Sequence, residues 1–74
     1  MGYASQAEAD ALAESYEAWR TACAEVESAY HAWERARVCE RDAAFGGYLA
    51  ALQQEQHRAR LYQVRLEQLQ LRAA

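Results

Sequence analysis

Cys23, His31 and Cys39 recur at steps of eight, and thiol and imidazole are the ligand types of a zinc or redox site. Helical geometry argues against a shared ion. Eight residues turn a helix about 80° beyond two full turns and rise about 12 Å, so on one helix the two cysteines would lie about 24 Å apart on nearly opposite faces. The same separation forbids a disulfide between them within one chain. Cys23 is instead expected as a small buried hydrophobe, Cys39 as an exposed thiol, and His31 and His57 as solvated side chains. No metal site and no cofactor is assigned within one chain. A metal- or redox-responsive regulator remains as an alternative if two chains contribute Cys and His together.

Enzymatic chemistry has little to work with. A reaction needs a nucleophile, a base and a pocket that excludes water. No G-x-S-x-G or H-E-x-x-H stretch is present, and the carboxylates Glu14, Glu17 and Glu25 fall on a wet helix face. The expectation is a protein without catalytic residues. Arg58, Arg65 and Arg72 recur every seven residues, a stripe suited to pairing with acids on a neighbouring helix. With a pI near 5.3 and a net charge of −3, the chain is not expected to bind nucleic acid.

The elements that carry these residues are helices. Of the 74 residues, 50 are Ala, Leu, Glu, Gln, Arg or Met, while proline and isoleucine are absent and only three valines and one threonine are β-branched. Strands favour the types that are missing here. Nowhere is there a stretch of about eighteen apolar residues, so no membrane span is expected, and no secretory signal pattern opens the chain. A cytoplasmic location is the corresponding expectation.

Ser5-Gln6-Ala7-Glu8 reads as a capping box. Helix formers then run to Phe45, and Gly46-Gly47 offers the turn, because glycine enters the left-handed conformation at least cost. A second helix follows over about 48–72. The sequence therefore predicts a single all-α domain over 1–74, an antiparallel two-helix hairpin with a long helix over about 5–45 and a shorter one over about 48–72. In the first helix, Leu12, Tyr16, Trp19, Cys23, Val26, Tyr30 and Trp33 follow steps of 4, 3, 4, 3, 4, 3, an unbroken coiled-coil seam. With Cys23 set as heptad position a, the g line is Ser15, Ala22, Ala29 and Ala36. The seam fails afterwards, where Arg37 and Glu40 occupy the next a and d. In the second helix Tyr48, Leu52, Ala59, Tyr62, Leu66 and Leu69 form a seam with Glu55 as its flaw, and Leu61, Val64 and Leu71 form a second apolar line.

A turn at Gly46-Gly47 sets residue i beside about residue 93 − i, so residues 5–20 would overhang and leave Leu12, Tyr16 and Trp19 bare. Leu, Val and Phe together number only 11, too few for a robust core in so short a chain. The chain is therefore expected to dimerise into a four-helix bundle or coiled-coil assembly through Leu12, Tyr16, Trp19, Cys23, Val26, Tyr30 and Trp33. Two first helices laid antiparallel would cross near Cys23, with Arg20 beside Glu27 of the other copy. The function expected is that of a small non-enzymatic interaction protein, an adaptor, inhibitor or assembly subunit that associates with itself and with a protein partner.

Overall fold

The computed structural model describes residues 5–73; the outer limits of the expected 1–74 domain lie outside them. Two long helices account for almost all of this stretch. Helix α1 spans Gln6–Arg35 and helix α2 spans Arg41–Ala73, with a single turn of 3-10 helix over Val38–Glu40 between them. They pack antiparallel along their whole length, as a rod of 59 × 15 × 12 Å.

Helix α1 starts where the capping signal lies. Ser5 is extended, and its hydroxyl accepts the Glu8 amide at 3.1 Å. The Glu8 carboxylate accepts from the Ser5 hydroxyl at 3.3 Å rather than from its amide, and is also bonded to Arg72 of α2. The same side chain thus caps α1 and ties the open end of the hairpin.

The turn is not at the glycines. Gly46 and Gly47 lie inside α2 and neither has a positive φ. The chain reverses ten residues earlier. The Ala36 amide donates to the Trp33 carbonyl at 3.2 Å, Ala36 and Arg37 are both extended, and the Glu40 amide donates to the Arg37 carbonyl at 2.8 Å to restart the helix. The expected boundaries of 5–45 and 48–72 are corrected accordingly, and Cys39 moves from the first helix into the exposed connection.

Packing explains the choice. Two glycines in a helix interior cost about 2 kcal/mol relative to alanine. A turn at those glycines would leave the N-terminal end of α1 uncovered, whereas full burial of one large apolar side chain is worth about 1.5–3 kcal/mol. Half-covering Leu12, Tyr16 and Trp19 together outweighs the glycine penalty. The earlier turn also releases Arg37 and Glu40 from the seam and leaves Glu40 and Asp42 at the start of α2, where acids are favoured by the helix dipole. The two helices, 30 and 33 residues long, now match, and no overhang remains.

The core is a narrow strip. On α1 it follows the d and g lines: Leu12, Trp19, Val26 and Trp33 are half-buried, as are Ser15, Ala29 and Ala36, and Ala22, at 4% exposure, is the one buried residue among those described. On α2 every member of the expected seam is half-buried, Glu55 included. The small g line allows α2 to lie close to α1 there.

Candidate functional site

The side chains that combine specific geometry with exposure are aromatic. Tyr16 and Trp19 share one face of α1, four and three residues being neighbouring steps on a helix. Their rings meet edge-on at 6.0 Å, and Tyr62 of α2 completes the group, 5.4 Å from Tyr16 and stacked on Trp19 at 5.8 Å and 11°. Two heptads further along α1 the same group recurs. Tyr30 and Trp33 meet at 6.0 Å, and Tyr48 lies 5.6 Å from Tyr30 and stacks on Trp33 at 5.9 Å and 6°. Phe45 closes the second group at 5.2 Å from Trp33. Edge-to-face and offset pairs at these separations are the favoured aromatic geometries.

The duplication was legible as a spacing. Tyr16 and Tyr30, Trp19 and Trp33, and Tyr48 and Tyr62 are each fourteen residues apart. The pairing across the hairpin was not, because it depends on the turn. Tyr16 with Tyr62, Tyr30 with Tyr48 and Trp33 with Phe45 have residue numbers that add to 78 in every case, where the glycine turn implied 93.

Between the two groups lies the flaw of the α2 seam. Glu55 accepts a hydrogen bond from the Trp19 indole N–H at 3.4 Å. A half-buried carboxylate among apolar side chains needs such a donor, and this one links the first aromatic group to the middle of α2.

The seam residues of α1 divide between the hairpin interior and its edge. The d residues Leu12, Trp19, Val26 and Trp33 are those turned into the hairpin. The a residues lie at its edge: Tyr16 and Tyr30 are each 39% exposed and Cys23 is half-buried. Heptad geometry places Phe45, Leu49, Leu52, Ala59 and Leu66 on the same edge of α2. Phe45 and Leu49 are 40% and 45% exposed, so this face of the rod is apolar and open. The opposite face differs. There Ala11, Ser15, Ala18 and Ala22 floor a groove whose walls carry Glu14 and Glu25 from α1 and Arg58, Leu61 and Arg65 from α2, so that its one exposed large apolar side chain, Leu61, stands between two arginines. The third arginine of that stripe, Arg72, is the partner of Glu8.

The titratable groups do not converge. His31 is bonded to Glu34 at 3.3 Å and lies 4.0 Å from Glu27, all on an exposed stretch of α1. His57 is exposed among Gln53, Gln56 and Arg60. Cys23 and Cys39 are both free thiols. Among the described residues no three His, Cys, Asp or Glu side chains are grouped to hold a metal ion, and no helix is long and apolar enough to cross a membrane. Comparison with protein-family models, with curated proteins and with solved structures finds no match.

Proposed function

We propose that this chain is a small non-enzymatic interaction protein that associates with itself and presents a helical surface to a protein partner, as an adaptor, inhibitor or assembly subunit. The observation that carries the reading is the thinness of the hairpin. Among the described residues its two helices bury a single one, and no large side chain there is fully enclosed. The accessible surface is 5883 Å², against roughly 4,600 Å² for a folded monomer of this mass. The surplus, on the order of 1,000 Å², is comparable to the roughly 800 Å² that each partner buries in a standard interface. The radius of gyration tells the same story, 16.8 Å against roughly 11 Å for a compact domain of this length.

Sedimentation equilibrium tests the self-association. The expected result is a mass near twice 8.4 kDa that falls toward the monomer on dilution. A folded species of 8.4 kDa at every concentration would refute it. The reading carries a cytoplasmic location with it, which cell fractionation tests. A metal- or redox-responsive role using two chains would draw on Cys23 and on His31, whose ring lies 5.8 Å from that of Tyr30, whereas Cys39 lies in the connection and His57 among Gln53, Gln56 and Arg60.

A further inference from the structure

We propose that a second copy of the chain docks on the Tyr16/Tyr30 face in antiparallel orientation, about a two-fold axis that crosses α1 at Cys23, so that each hairpin is half of a four-helix bundle. The inference rests on the self-association proposed above and adds the face, the axis and the register.

The face is symmetric about one level of the rod. A two-fold interface sets the same patch against itself, so residues must lie in matched pairs on either side of the axis. Tyr16 and Tyr30 are each seven residues, about 10.5 Å of helix, from Cys23. Tyr62 and Tyr48 are each seven residues from Glu55. The ring pairs Tyr16–Tyr62, Tyr30–Tyr48 and Trp33–Phe45, whose numbers add to 78, place Cys23 level with residue 55, and the stacked pairs Trp19–Tyr62 and Trp33–Tyr48, which add to 81, place it within one helical turn of that level. One axis therefore carries the tyrosines of each aromatic group onto those of the other, Tyr16 onto Tyr30 and Tyr62 onto Tyr48. The remaining apolar residues of α2 obey the same axis: Phe45 falls against Leu66 of the second copy, and Leu52 against its Ala59, both pairs centred at 55.5. Sliding the copies by two heptads would match one aromatic group and leave the other bare.

Charge separates this axis from its main rival. At the rim of the face, position e of α1 carries Arg20 and Glu27, and the axis at Cys23 brings Arg20 of each copy beside Glu27 of the other, twice. An axis running along the rod would instead set α1 against α2 of the second copy. The opposing line there is Leu49, Gln56 and Gln63, which offers Arg20 no carboxylate. The opposite groove is the weaker docking surface for a copy of this chain, because its walls already interleave Glu14 and Glu25 with Arg58 and Arg65.

Thiol cross-linking tests the arrangement on the full chain. In a Cys39→Ser background, mild oxidation or a short bis-maleimide is expected to link dimers through Cys23, the residue nearest its own symmetry mate. Glu14→Cys, placed on the opposite groove in a chain lacking both native cysteines, is expected not to link. Arg20→Glu is expected to raise the dimer dissociation constant by roughly three- to thirty-fold, and the Arg20→Glu/Glu27→Arg double variant to restore it. A dimer by sedimentation that links through Glu14→Cys and not through Cys23 would overturn the face and the axis while leaving self-association intact. Unrestored association in the double variant would overturn the register. A monomer at all concentrations would remove the self-association on which both depend.

Discussion

Glu55 is the residue at odds with its surroundings. It interrupts an apolar seam whose other members pack on α1, and its one tertiary hydrogen bond, from the Trp19 indole, is long at 3.4 Å. A hydrogen bond of this kind contributes about 0.5–1.5 kcal/mol, and a leucine in the same place would bury apolar surface worth a little more. Glu55→Leu is therefore expected to raise the unfolding free energy by about 1 kcal/mol, read as a higher urea midpoint at unchanged slope. Trp19 and Trp33 offer a sharper comparison, because they occupy equivalent groups. Full burial would make Trp→Ala cost about 3–5 kcal/mol. Both indoles are only half-buried, so a loss of about 2–3 kcal/mol is expected for each, measured by urea denaturation at one protein concentration. Unequal losses would mean that Phe45, which of the two indoles meets only that of Trp33, or the Glu55 bond, which only Trp19 makes, gives the two groups different loads.

At the scale of the elements, the position of the turn makes opposite predictions at two places. An added Cβ at Gly46 or Gly47 meets nothing within 4 Å, and both backbones are helical. Gly46→Ala and Gly47→Ala are each expected to stabilise the protein by about 0.5–1 kcal/mol, seen as a higher melting temperature. A turn using a left-handed glycine would give the reverse sign. Proline distinguishes the sites further. Arg37 has φ −70° and follows an extended Ala36, a backbone that proline and its predecessor both accept. Arg37→Pro is expected to leave the circular dichroism unchanged, whereas Gly47→Pro in mid-helix should cost about 3 kcal/mol or more and reduce the helical signal.

For the whole molecule, the ratio of length to thickness governs behaviour. A rod two helices wide has few residues that are covered from more than one side, and its stability is inseparable from whatever covers the open face. If that is a second copy, the melting temperature depends on protein concentration by mass action. Thermal scans over a hundredfold range of concentration are expected to show a rising midpoint, and a flat response would place all of the stability inside one hairpin. In the proposed dimer, added salt should weaken association only modestly, since the Arg20–Glu27 pairs would lie at the rim and the aromatic and aliphatic side chains would form the centre.

The all-α character, the scarcity of β-branched residues, the cap at Ser5 and both seams were present in the residue types and their spacing, because helix propensity and the 4-3 alternation are local properties. The reason for the hairpin was present as well: apolar stripes on two helices must face something. Only the tertiary structure decided where the chain turns. Gly46-Gly47 is a local preference of about 2 kcal/mol. It yields to the burial of Leu12, Tyr16 and Trp19, side chains that lie more than twenty-five residues away in sequence and count only once the alternatives are folded. The loss of apolar seam at Arg37 and Glu40 was the sequence signal that pointed to the true turn. From that turn follows the register that sets Tyr16 beside Tyr62 and Tyr30 beside Tyr48, and with each tryptophan one turn further along α1 comes the stacking of Trp19 on Tyr62 and of Trp33 on Tyr48. A fourteen-residue repeat can be read in one dimension; which ring meets which is set by the depth at which the two helices pass each other.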